Sequence, residues 1–239
     1  NEITDTPILI SAVTDPAASG LVDSNEAPGA NITGTSDLTP VASQIEMIQK
    51  LVPDAKTVGV FYTSSETNSK LQADMAIEAG EKLGYTMETY TVSQSSEIQQ
   101  VVESMVGKID ALYIPTDNLL ASNMPTVSMV ANQAKIPTIC GESGMVENGG
   151  LITNGINYFD LGVLTGKQAA EILEGADPAT MPIEYCPEDS YTYTVNEDTA
   201  AEIGIEIPEE FLQDSEEVET EASTETAEET ETETASAAE

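Results

Sequence analysis

The sequence predicts an α/β protein built on parallel strands. From residue 57 onward, short β-rich runs alternate regularly with helix-like segments. Those helices stop at glycines such as Gly84 and Gly107, which is the pattern of βα units. The chain has 239 residues, 40% of them hydrophobic, enough for one large or two modest cores.

Residues 7–13 (PILISAV) read as a short buried strand, stopped by Thr14-Asp15-Pro16. A short helix is expected over 17–24, then a turn at 28–31. Residues 40–51 form a helix, with Val41, Ile45, Ile48 and Leu51 on one face beside Met47. Strand 57–62 leads to helix 68–83, strand 86–92 to helix 95–106, and strand 111–115 to helix 122–134. Strands at 137–141 and 151–155 follow, then a helix over 160–173 with Asp160 as N-cap. Strands at 183–186 and 191–195 and a helix at 199–203 lead to the closing segment 207–212. The tail from residue 214 to 239 has 11 acidic and no basic residues and almost nothing apolar, so disorder is expected. It reads as an interaction tail or a solvated spacer.

Composition excludes several chemistries. The formal net charge is −36, and all seven basic residues are lysines. Without histidine there is no Ser-His-Asp triad, no Cys-His pair and no histidine metal ligand. Without arginine there is no bidentate fork for an anion, which must rely on backbone N–H groups, hydroxyls, amides or a lysine. The charge opposes nucleic acid, and no cofactor motif is present. Cys140 and Cys186 lack CxxC spacing and read as buried thiols, with a disulfide between them left open. No stretch suits a bilayer span, and no signal segment is present.

Two strand-to-helix turns carry the site. Residues 62–69 (YTSSETNS) place hydroxyls at a helix start, where backbone N–H groups suit a carboxylate. Ser64, Ser65, Asn68 and Ser69 are the candidate clamp, although Asn68 or Ser69 also suits simple N-capping. Glu66 suits solvent, an ammonium group or the opposite lobe. Residues 114–118 (IPTDN) offer Asp117 and Asn118 for an ammonium group, or an Asx-turn. Together the two turns suit an amino-acid ligand.

Four segments occur in order: SAVTDP (11–16), PGANITGTSD (28–37), SSETNS (64–69) and PTDN (115–118). Over residues 7–212 the chain resembles the ABC-transporter substrate-binding proteins that take tryptophan and related aromatic amino acids. That resemblance implies the type I periplasmic-binding-protein fold, two Rossmann-like lobes joined by three crossovers around a cleft. It assigns 1–39 to a remnant of lobe one, 40–153 to lobe two, 154–190 to a return to lobe one and 191–213 to a closing segment. It also implies an N-terminal stretch, not in this sequence, that builds most of lobe one, so lobe one is expected to be incomplete. Thr14 and Asp15 would touch the ligand from lobe one, or simply make a turn. Ser36 and Asp37 would sit at the hinge or cleft rim, and Glu142 could line the cleft. Tyr62, Tyr158 and Phe159 are the available cleft aromatics. Residues 141–144 (GESG) do not complete a nucleophile elbow, because Met145 holds the second glycine position.

The expectation is therefore an extracytoplasmic, monomeric solute-binding protein that delivers an aromatic or apolar amino acid to a membrane permease. A lipid anchor is implied by the resemblance. The alternatives are a ligand-sensing domain of a receptor or regulator, and an α/β enzyme. The enzyme would need acid/base residues with partners, whereas the carboxylates here are expected at turn tips.

Overall fold

A computed structural model of the chain describes residues 3–213 and 215–217. The chain opens with parallel strands β1 (Ile8–Ile10) and β2 (Ile32–Ser36). It crosses over into α1 (Val41–Leu51), β3 (Thr57–Thr63), α2 (Thr67–Lys82), β4 (Thr86–Val92) and α3 (Ile98–Met105). Next come β5 (Ala111–Ile114), α4 (Asn118–Ala121), α5 (Met124–Gln133), β6 (Thr138–Cys140), α6 (Ser143–Glu147) and β7 (Ile152–Gly155). A second crossing leads to α7 (Tyr158–Leu173) and β8 (Glu184–Tyr185). A third leads to β9 (Thr192–Val195), α8 (Glu197–Ile203), α9 (Glu209–Leu212) and β10 (Ser215–Glu217).

The strands form two sheets. The smaller runs β1-β2-β8 and the larger β10-β9-β7-β6-β5-β3-β4. Every neighbouring pair is parallel except β7 with β9. Side-chain alternation divides the larger sheet between two cores. Val58, Val60, Tyr113 and Ile139 face α1 and α2, whereas Phe61, Leu112, Ile114 and Cys140 face α3 and α5. The smaller sheet has a modest core of Val22, Ile32 and Ile183, with α7 laid on β1 and β2. That helix leaves Phe159, Val163 and Leu173 exposed.

Gln44 sits fully buried on α1 and binds the strand ends together. Its amide donates to the Asn154 carbonyl at 2.8 Å and the Gly141 carbonyl at 3.2 Å, and its oxygen accepts from the Tyr113 hydroxyl at 2.9 Å. Gly34, in the 28–37 motif, has φ +149°, and a Cβ there would strike the Ile10 carbonyl of the neighbouring strand. Lys50 on α1 pairs with Glu210 at 2.6 Å and lies 5.4 Å from the Phe211 ring, docking α9.

Several elements differ from the sequence reading. Residues 17–24 form successive turns rather than a helix, because Gly20 adopts φ +70° and Asp15 turns back to accept the Ala18 N–H. The helix expected from 122 begins at Met124, with Pro125 in its first turn, and α4 stands before it as a separate turn. Asn157, not Asp160, caps α7 by accepting the Phe159 and Asp160 N–H groups, so that helix starts two residues earlier. Residues 215–217, placed in the disordered tail, pair with β9. The remainder of that expected disordered segment lies outside the described residues. Cys140 and Cys186 are both buried and free. No helix among the described residues is long and apolar enough to cross a membrane.

Candidate functional site

The tip of β3 and the start of α2 make one half of the site. Glu66 occupies the N-cap position of α2, yet no side chain caps that helix. Its first-turn N–H groups are therefore open to an anion, with the helix dipole behind them. Ser64 and Ser65 stand exposed beside this end. The Ser64 hydroxyl donates to the Val92 carbonyl at 3.1 Å, which leaves its oxygen free to accept and fixes its position.

Residues around this end hold it rather than face outward. Asn68 and Ser69 donate to the Thr116 carbonyl at 3.1 and 3.3 Å, so they tie α2 to the end of β5 instead of beginning the helix. Gln72 accepts from the Thr116 hydroxyl at 3.1 Å. Glu66 accepts from the Asn118 backbone and side chain and from the Leu119 N–H, capping α4 from the neighbouring turn. Burial opposes ionisation of Glu66, but the bonds from Asn118 and Leu119 outweigh it and hold its carboxyl below the ordinary value.

Asp117 makes the turn that the sequence also allowed. Its oxygens accept from the Thr63 N–H at 2.7 Å, the Thr63 hydroxyl at 2.8 Å and the Leu120 N–H at 2.9 Å. At 1% exposure it pins β3 to the start of α4. Asn118, its expected companion, is spent on Glu66.

The other half gathers at the crossings between sheets. Asp37 follows β2 and is 6% exposed. The Thr14 hydroxyl donates to it at 3.0 Å, and the Tyr158 hydroxyl, from the start of α7, approaches it too. Burial pushes the Asp37 carboxyl above its ordinary value, and these bonds only partly offset that effect. Glu142, just after β6, is held by the Gly144 N–H at 2.7 Å and is also pushed up by burial. Gly141 lets this strand end lie against the Pro115–Thr116 backbone, where a Cβ would clash. The Tyr158 hydroxyl senses both carboxylates, and burial drives it well above the ordinary phenol range.

Among the described residues, neither carboxylate has a cationic partner. The ion pairs among the described residues are Lys50–Glu210, Lys70–Asp74 and Lys82–Glu78, all on the surface. Two desolvated carboxylates without a lysine favour an incoming cation. Asp37 is buried and Glu142 half-buried, and each accepts a hydrogen bond, so neither sits at a solvated turn tip. Among the described residues, no group of three or more His, Cys, Asp or Glu could hold a metal ion.

The remaining candidates make bonds within the chain. Ser36 donates to the Thr14 carbonyl at 2.7 Å, and Asp15 accepts from the Ala18 N–H and the Asn25 amide, both at 3.0 Å. Thr14 itself positions Asp37. Tyr62 packs half-buried against the core, and Phe159 is 78% exposed. Sequence reasoning missed that Thr14, Asp37 and Tyr158 converge. The motif segments signal each residue, but only the crossings bring them together.

The sequence matches the family described as ABC transporter substrate binding protein over residues 1–219. The chain belongs to this family. It is 45% identical over 199 residues to a tyrosine-binding protein from Clostridioides difficile (strain R20291), covering 83% of this chain and 57% of that protein. The chain thus spans less than two thirds of that relative. Two solved structures are similar. One is the ABC domain in complex with L-Trp from Streptococcus pneumonia, at 40% identity and TM-score 0.83, covering 91% of this chain and 73% of the other. The second is a ligand-free, open substrate binding protein with adhesive properties from Clostridium difficile. It shows 45% identity and TM-score 0.75, covering 92% and 73%. Of these two, the more similar sequence has the less similar shape, so this member of the family lies nearer the L-Trp complex than the open form. The fold is the two-lobed type I periplasmic-binding-protein fold, with Rossmann-like lobes.

Proposed function

We propose that this protein captures an amino acid with an aromatic or apolar side chain outside the cytoplasmic membrane and hands it to an ABC permease. The observation that carries this reading is the pair of desolvated carboxylates, Asp37 and Glu142, in a molecule whose α2 N-terminus is also uncapped. Ser64, Ser65 and the first-turn amides of α2 take the ligand carboxylate. Asp37 and Glu142 take the ammonium group. Thr14, Asn68, Ser69, Asp117 and Asn118 position those groups from behind.

The action is closure, not chemistry. The crossings after β2, after β7 and before β9 serve as the hinge between lobes, and a ligand touching both lobes favours the closed state. Supporting the ligand class, one relative is named as tyrosine-binding and another holds L-Trp. A thermal-shift screen of the full protein against the twenty amino acids, sugars and nucleosides tests the reading by mass action. A selective rise with an aromatic amino acid is expected. A response to a sugar or nucleoside alone would keep the fold and overturn the ligand class.

A further inference from the structure

The ladder between β6 and β7 is short, and its register pairs Ile139 with Ile152. Continued past the end of β6, that register brings Gly141 beside Asn154. There a side chain takes over from the backbone. The Gln44 amide donates to the Asn154 carbonyl at 2.8 Å and to the Gly141 carbonyl at 3.2 Å, so it spans both strand ends. Its oxygen accepts from the Tyr113 hydroxyl of β5 at 2.9 Å, which fixes the direction of the amide. Ser43 adds a second tie, accepting from the Asn154 amide at 2.9 Å. Gln44 and Tyr113 are fully buried, so breaking any of their bonds strands a polar group away from water. Each bound segment leads to the carboxylate cluster. Glu142 follows Gly141 directly, and the chain past Asn154 makes the second crossing to Tyr158 at the start of α7. Gln44 itself stands in the first turn of α1, just past the crossing that carries Asp37.

We propose that Gln44 is the positioning residue of the ammonium site. By holding the β6 and β7 ends at a fixed separation, it keeps Glu142 and Tyr158 at the spacing from Asp37 that an ammonium group requires. The inference rests on the amino-acid reading above and adds a buried side chain that acts through the strand ends. Charge-assisted bonds depend on geometry, so a displaced Gly141–Glu142 end weakens the ammonium contact. The carboxylate contact is spared, because the start of α2 is held separately, by Asn68 and Ser69 on the Thr116 carbonyl.

Titration calorimetry of the full protein with L-tyrosine and its des-amino analogue, hydroxyphenylpropionate, tests this, run well below the melting temperature of each variant. The unaltered protein is expected to prefer L-tyrosine by about tenfold or more, one charge-assisted contact. Gln44→Met keeps the length of the side chain and removes its amide. It should narrow that preference by about threefold or more, weakening L-tyrosine and leaving the analogue unchanged. Tyr113→Phe removes only the hydroxyl that orients the amide and should narrow the preference in the same direction. It carries the test alone where Gln44→Met does not fold. A lowered melting temperature with undiminished preference in the deciding variant overturns the assignment and leaves the amino-acid reading standing. Equal weakening of both compounds overturns it as well, by showing a general structural role. Equal binding of the two compounds by the unaltered protein, or binding of neither, overturns the amino-acid reading and this inference with it.

Discussion

Under the proposed function, Asp37 serves binding at the expense of stability. Its carboxyl is raised in the folded protein, so its contribution is stabilising below the ordinary carboxylate value and is lost as pH rises through the raised one. Burial thus opposes its ionisation in the free protein. Asp37→Asn should raise the melting temperature of the free protein and weaken amino-acid binding, by roughly 1.5–3 kcal/mol for one charge-assisted contact. Melting curves and titration calorimetry on the same preparation check both halves. Asp117 behaves in the opposite sense. Asp117→Ala leaves the Thr63 N–H and hydroxyl and the Leu120 N–H without their partner. A loss of about 3 kcal/mol is expected in denaturant unfolding. The two aspartates follow similar sequence patterns, a short polar turn after a strand, and only burial and bonding geometry separate them. Sequence reasoning placed both near the candidate site, and the proposed function moves the ammonium group from Asp117 to Asp37.

Elements were more legible than the bonds between them. The periodicity of α1 marks Val41, Ile45, Ile48 and Leu51, and these are its buried face. The same periodicity passes over Gln44, because a buried glutamine joined to three strand ends leaves no local signal. Residues 17–24 had helical composition, yet Gly20 and the Asp15 side chain offered the backbone better bonds in turns. The α2 N-terminus was visible as a hydroxyl-rich turn, but its uncapped state was not, since Asn68 and Ser69 are the residues that ordinarily cap. Their engagement with Thr116 is tertiary. At this scale Gly34→Ala tests the join between β1 and β2. Its φ of +149° and the nearby Ile10 carbonyl leave no room for a methyl group. A cost of about 1–3 kcal/mol from backbone strain alone is expected in equilibrium unfolding.

Across the whole molecule, charge and topology work together. A net charge of −36 with only seven lysines leaves few internal cations, which favours the proposed match of Asp37 and Glu142 to a ligand's ammonium group. Three crossings place Asp37 and Tyr158 at the junction of the two sheets, where the proposed ligand would bias closure. Because Asp37 and Glu142 titrate above their ordinary range, falling pH should protonate them and weaken binding, while the ligand itself holds them ionised. Affinity measured from neutral pH downward should drop through the acidic range, with proton release on binding when both are partly protonated. The most direct test of the zwitterion site compares an aromatic L-amino acid with its des-amino and carboxamide analogues by titration calorimetry at neutral pH. Loss of about tenfold or more in affinity with each analogue is the expected result, one charge-assisted contact apiece. A des-amino analogue that binds as tightly as the amino acid would contradict the role of Asp37 and Glu142.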